Sequence, residues 1–222
     1  MPRTKRSRTV FQGESPYCGT VRVIEDLRER RLMVHGETLS VYPTNGDWSG
    51  VKREYWWHAL EEARLPKRPR ALLIGLGGGT QLHLLRRLAK PRAVTAVERD
   101  PVILRVAKRW FGLDGLDGVE YLCTDAETAA ERLTAARRRF DFVMEDVDYG
   151  DGGERSVPLV TALAGLVARD GVLVANRHRR REAAVVIAAL SPLFRDVRER
   201  RIRREGENVL VVAASPRRRA TR

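Results

Sequence analysis

Cysteine and histidine are too few and too scattered in this sequence to build a disulfide framework or a metal site. There are two cysteines, Cys18 and Cys123, and four histidines, and no pair of them shows metal-ligand spacing. Cys18 has no histidine beside it and reads as a bystander rather than a nucleophile. Long apolar runs are also missing. AAVVIAAL, Ala183–Leu190, is among the longest and falls far short of the roughly 20 residues a membrane-crossing helix needs. The opening MPRTKRSRTVFQ is basic but has no apolar core of a signal peptide. These absences lead to the expectation of a cytoplasmic protein with no membrane contact and no metal. Lysine is scarce as well, with only five among 42 basic residues, so the positive charge is almost all arginine.

The formal net charge is +13, and arginines cluster near the N-terminus, at Arg177–Arg181, at Arg195–Arg204 and in the tail PRRRATR. Such a surface attracts polyanions by charge alone, so nucleic acid is one partner class to test. Against this background EDVDYGDGGE, residues Glu145–Glu154, gathers five carboxylates into ten positions. An acidic mouth on a basic protein suits a cationic acceptor, in particular a small molecule bearing an amine.

Along the chain, TVRVIE, RRLMV and ETLSVY read as two or three antiparallel strands punctuated by glycines. Val51–Ala63 has helical spacing of its apolar residues. From Arg70 onward apolar strands alternate with helical patterns: ALLIG, LHLLRRLA, AVTAVE, PVILRVAKRWF, VEYLC, a helix near Glu127–Arg139, FDFVMED, PLVTALAGLVA, GVLVAN and REAAVVIAAL. LFRDVRERRIR and ENVLVVAAS close the chain as two β runs. Repeated βα units imply a mostly parallel sheet covered on both faces, with an antiparallel last strand. The expected division is a disordered basic tail over residues 1–9, a small β region over 10–50, a nucleoside-binding domain over 51–215 and a basic tail over 216–222.

ALLIGLGGGT runs a strand through a glycine turn into a helix, with Gly75, Gly77 and Gly79 in a G-x-G-x-G pattern. Glycines there let the backbone approach a nucleoside closely. Glu98 ends the next strand, where a carboxylate can accept from two ribose hydroxyls. Asp125, followed by Ala126, sits past the third strand, where an acid can take an adenine amino group or cap a helix. The three features together describe an adenosine site without a pyrophosphate. Asp146 ends the strand FDFVMED at the same edge, where it can orient an amine and accept its proton. Asp148 follows it closely.

GLGGGT, VERDP, TDA and FDFVMED, in this order, resemble the class I S-adenosylmethionine-dependent methyltransferases, and in particular their spermidine synthase-like branch. ESPYCGTVRV, RRLMVHGETLSVY and the terminal ENVLVVAAS resemble that branch's N-terminal hairpins and last strand. The resemblance implies an α/β, Rossmann-like, doubly wound sheet behind a small N-terminal β-hairpin region. It also implies S-adenosylmethionine or its decarboxylated form as donor, and a homodimer among the assemblies to expect. Gly75, Gly77, Gly79, Glu98, Asp125 and Ala126 would hold the donor, Asp146 and Asp148 would be catalytic, and Tyr17, Trp57 and Tyr149 would line the acceptor pocket. Some family positions differ. Tyr149 stands where the second acid of D-x-x-D belongs, and Gly78 where an aspartate holds the aminopropyl amine. Trp56-Trp57-His58 aligns with Tyr-His-Glu, and Leu39 with the glutamine of Leu-Asp-Gly-x-x-Gln. Aminopropyl transfer, methyl transfer to RNA or another polyanion-associated substrate, and a non-catalytic scaffold all remain open at this point.

Overall fold

The computed structural model describes residues 7–147, 156–203 and 207–217. Its N-terminal part is a four-stranded antiparallel sheet in sequential order: β1 (Arg8–Ser15), β2 (Gly19–Glu25), β3 (Glu29–Val34) and β4 (Glu37–Pro43). The sequence reading expected two or three strands here and missed β1, half of whose residues are exposed, so that its alternation is faint. β1 starts at Arg8, inside the segment read as a disordered tail, because Arg8 pairs across the ladder with Glu25 at 2.7 Å. His35-Gly36 makes the two-residue turn between β3 and β4 with both residues at positive φ, the geometry that matches strand twist. Alternation places Val21, Val23, Leu32 and Val34 on one face, packed against Val102, Ile103, Val106 and Phe111 of the larger domain.

A 3₁₀ turn over Ser49–Arg53 leads into α1 (Tyr55–Ala63), so the helix expected from Val51 begins four residues later. The main sheet follows: β5 (Arg70–Ile74), α2 (Thr80–Ala89), β6 (Ala93–Glu98), α3 (Pro101–Trp110), β7 (Val119–Cys123), α4 (Ala126–Ala135), β8 (Phe140–Glu145), α5 (Ser156–Ala164), β9 (Val167–Arg177), α6 (Arg180–Leu190), β10 (Phe194–Arg203) and β11 (Glu207–Pro216). α4 stops before Arg139 because Arg137 turns left-handed and the Arg138 N–H returns to the Leu133 carbonyl at 2.9 Å.

The strand order is β10-β11-β9-β8-β5-β6-β7, with β7, β6, β5, β8 and β9 parallel and β11 antiparallel to both its neighbours. From β5 the chain builds outward through β6 and β7, then returns to lay β8 on the other side. That reversal opens a crevice at the carboxyl ends of β5 and β8, where open α/β sheets bind ligands. One face of the sheet, through Leu73, Met144, Val174 and Leu210, packs against Trp56, Leu60, Leu82 and Leu85 of α1 and α2. The other, through Leu72, Val143, Leu173 and Val211, packs against Leu133, Leu159 and Val186 of α4, α5 and α6.

The outer strand β10 carries part of the arginine excess. Its Arg198 and Arg200 reach Glu62 and Glu61 of α1 at 3.4 and 2.8 Å, and charged side chains on an edge strand discourage pairing with other chains.

Candidate donor and acceptor site

The glycine loop follows β5 into the crevice. Gly75 has φ +83°, and its N–H donates to the Val97 carbonyl at 3.1 Å. A Cβ here would press on the Asp146 carbonyl, 2.9 Å from its carbon. Gly77 donates its N–H to Glu98 Oε2 at 3.0 Å, and Gly79 is the N-cap residue of α2. Gly78 donates to Ser40 Oγ at 2.7 Å, and a Cβ on it would lie 2.7 Å from Ser40 Cβ and 3.1 Å from the Phe111 ring. Thr80 ties the same loop to β4, donating to the Val41 carbonyl and accepting from the Val41 N–H, both at 2.9 Å. The N-terminal sheet therefore seals one wall of the loop.

Glu98 stands at the end of β6 beside that loop. Its other oxygen accepts from the Asp100 N–H at 3.0 Å. Burial pushes its carboxyl up from the ordinary value, against the pull of the Asp100 and Gly77 N–H groups. A carboxylate offers about four acceptor sites, so Glu98 keeps acceptor capacity for a hydroxyl group. Asp100 caps α3 through the Val102 N–H at 2.8 Å, and its second oxygen accepts from the Ser15 hydroxyl and, at 3.3 Å, from the Cys18 thiol. Cys18 thus joins the β1–β2 turn to the Glu98 loop. Tyr17, in the same turn and 53% exposed, lies under the Arg99 guanidinium, which is 5.4 Å from the ring centre.

Asp125 serves as the N-cap of α4. It accepts from the Thr128 N–H at 2.7 Å and from the Thr128 hydroxyl at 2.9 Å, which holds its carboxyl below the ordinary value. Ala126 is the first residue of that helix and is partly buried. Register places Glu98 opposite Cys123, two residues before Asp125, so the structure brings Glu98 and Asp125 to one edge.

Asp146 continues β8, its N–H donating to the Ile74 carbonyl at 2.9 Å. Its carboxylate accepts from the Tyr55 hydroxyl at 2.6 Å and from Asn176 Nδ2 at 2.9 Å. Burial, and after it the Asp146 charge, hold the Tyr55 phenol well above its ordinary value. Asn176 Nδ2 also donates to Asn208 Oδ1 at 3.0 Å, while Asn176 Oδ1 is buried and has no hydrogen-bond partner among the described residues.

Asp148 and Tyr149 lie outside the described residues. Trp57 is not brought to Asp146. Successive helical residues point about 100° apart, and it is Tyr55, at the start of α1, that faces the acid. Trp57 instead lines a groove of about 540 Å³ with Leu60, Leu65, Pro66 and Leu88, at the opposite edge of the sheet, with Lys52 5.4 Å from its ring centre. Sequence reasoning missed Tyr55, Asn176, Ser40 and Phe111. Asn176 carried a signal, as a polar residue ending the buried run GVLVAN. Among the described residues no three His, Cys, Asp or Glu side chains form a metal-binding group, and no helix is long and apolar enough to cross a membrane.

No family model matches the chain. Over 114 residues it is 30% identical to a polyamine aminopropyltransferase of Vibrio vulnificus (strain CMCP6), covering 50% of this chain and 38% of that one. Over 158 residues it is 30% identical to an eEF1A lysine and N-terminal methyltransferase of Mus musculus, covering 65% of this chain and 22% of that one. The chain therefore spans well under half the length of these curated relatives. A probable spermidine synthase from Corynebacterium glutamicum ATCC 13032 superposes with a TM-score of 0.70 at 16% identity, covering 95% of this chain and 81% of that one. Human methyltransferase-like protein 13, solved in complex with SAH, gives 0.63 at 24% identity, covering 76% of this chain and 84% of that one. Strand order, N-terminal sheet and these likenesses agree: the chain has the spermidine synthase-like form of the class I S-adenosylmethionine-dependent methyltransferase fold.

Proposed function

We propose that this protein is a transferase that moves a methyl group from S-adenosylmethionine to an amine. The observation that carries the reading is Asp146, brought by β8 to the same crevice as the glycine loop and held between Tyr55 and Asn176. Gly75, Gly77, Gly79, Glu98, Asp125 and Ala126 would receive the donor's adenosine end. Relatives named as an aminopropyltransferase and as lysine and N-terminal methyltransferases support alkylation of an amine.

The chemistry sets a clear demand. The attacking nitrogen must present its lone pair to the methyl carbon as the carbon–sulfur bond breaks. An alkylamine with a pKa of about 10.4 is protonated at pH 7, and freeing it costs about 4 to 5 kcal/mol. Asp146 would accept that proton, while Asn176 Oδ1 offers the amine a second, otherwise unfilled acceptor.

Methyl rather than aminopropyl transfer is favoured by the wall at Gly78. Where the family's aspartate would hold an aminopropyl ammonium this chain has Gly78, and a Cβ there would meet Ser40 and Phe111. Such a wall neither binds that ammonium nor repels the carboxylate of the intact donor. Arg198 and Arg200 being engaged with Glu62 and Glu61 argues against β10 as an RNA-binding edge.

The test is transfer of radiolabelled methyl from S-adenosylmethionine to a panel of amines: putrescine, a lysine-bearing peptide and a peptide with a free N-terminus. Asp146→Asn should lower turnover by about 10²- to 10⁴-fold and leave donor binding unchanged. Full activity in that variant removes Asp146 from the reaction. Aminopropyl transfer from the decarboxylated donor would replace methyl transfer as the reading, and no transfer by the parent protein would favour a scaffold.

A further inference from the structure

Beneath Asp146 and Asn176, on the other face of the sheet, lies a buried ion pair that neither donor nor acceptor chemistry uses. Arg177 Nη1 is 2.6 Å from Glu145 Oε2, with the two side chains 3% and 0% exposed. Glu145 Oε1 accepts from the Val147 N–H at 3.1 Å, and Arg177 Nη1 also donates to the Asn176 carbonyl at 2.5 Å. The register explains the arrangement. Glu145 lies opposite Ala175, and side chains alternate, so Glu145, Ala175 and Arg177 share one face while Met144, Val174 and Asn176 share the other.

Stability alone does not account for charges in this place. Ile74, Ala175 and Val209 belong to the apolar cluster on the same face, and Val209 pairs directly with Arg177. Taking two ions out of water costs several kcal/mol each, and well-packed apolar replacements of buried pairs are often neutral or stabilising. What an apolar pair would lack is a specific partner. The guanidinium and carboxylate hold each other at 2.6 Å where the β8–β9 ladder ends, at Glu145 and Ala175. The residue before Asp146 is thereby tied to the residue after Asn176.

We infer that Glu145 and Arg177 are positioning residues for the acceptor site: their ion pair locks the tips of β8 and β9 so that Asn176 Nδ2 meets Asp146 and the carboxylate faces Tyr55. The catalytic consequence rests on the proposed amine transfer, but the geometric claim does not.

The experiment uses the full chain with both charges removed at similar volume, Glu145→Leu with Arg177→Met. Four readouts are taken: thermal unfolding, the shift on adding S-adenosylmethionine, kcat and KM for methyl transfer, and the alkaline titration of the Tyr55 phenol, assigned by its loss in Tyr55→Phe. The double variant should unfold at or above the parent's midpoint and keep the donor-induced shift. Its kcat should fall about tenfold to a hundredfold, as expected for misplacing a reacting group by about 1 Å, with the donor's KM unchanged. The Tyr55 titration should move down toward an ordinary phenol as Asp146 turns away. An unchanged Tyr55 titration overturns the inference, with or without turnover. So does a double variant that fails to fold, because the pair would then be a requirement of the fold. If the parent shows no transfer at all, the proposed reaction fails, and the Tyr55 titration still decides the positioning claim.

Discussion

Replacing Gly75 by alanine combines two costs that other glycines allow to be measured apart. At φ +83° an L-residue is strained by about 1–2 kcal/mol. The added methyl group would also press on the carbonyl of Asp146, a residue pinned to β5 through its backbone N–H, and overpacking of this kind costs about 1–3 kcal/mol. Gly36 shares the φ of +83° but has nothing within 4 Å of a built Cβ, so its alanine variant carries strain alone. Gly50 has open space and no positive φ, and alanine there should stabilise by about 0.4–1 kcal/mol through the unfolded chain. For a protein of this size about 1 kcal/mol moves the melting point by about 2–4 °C. Thermal unfolding should therefore show Gly50→Ala slightly raised, Gly36→Ala lowered by about 2–8 °C and Gly75→Ala lowered by about 4–20 °C. Gly75→Ala should also lose the shift produced by S-adenosylmethionine, which Gly36→Ala keeps. If Gly75→Ala melts with Gly36→Ala and still responds to the donor, the tips of β5 and β8 are not in the close contact on which the site depends.

Ser40→Ala leaves the buried Gly78 N–H without its acceptor and should cost about 1–3 kcal/mol, read as a lower denaturant midpoint with an unchanged slope. Glu98→Gln tests a pH dependence whose sign follows from burial. Because the folded carboxyl is raised, the stability it contributes is full below its unfolded pKa and is lost as pH rises through the folded value. The glutamine variant loses one of the two acceptors for the Gly77 and Asp100 N–H groups, a cost that does not vary with pH, so its stability relative to the parent should rise from acid toward neutral pH, while it binds the donor more weakly. Thermal unfolding across the range from about pH 4 to about pH 8, with and without donor, checks both.

The βα rhythm from Arg70 onward was legible because buried parallel strands are continuous apolar runs, and ALLIG and AVTAVE are short enough to be nothing else. Gly75, Gly77 and Gly79 announced their loop because only glycine takes those φ values without strain. The partners of Asp146 were less visible. Which aromatic of Tyr55, Trp56 and Trp57 meets the acid depends on where α1 starts, and the intervening 3₁₀ turn shifts that phase. Asn176 could be placed at a strand end, but its contact with Asp146 follows from the β8–β9 register. Ser40 joins Phe111 in closing the wall at Gly78 only because a separate sheet docks there, and the Ser40–Gly78 contact, across 38 residues, is one that no local pattern encodes.

The most direct test of the account is thermal unfolding of the purified protein with S-adenosylmethionine and, separately, with its decarboxylated form. A donor present at about 100 times its dissociation constant adds about 2.7 kcal/mol of stability. The account predicts a shift of about 5–11 °C with the intact donor and a smaller one with the decarboxylated form. A larger shift with the decarboxylated donor would contradict methyl transfer, and no shift with either would contradict the donor site itself.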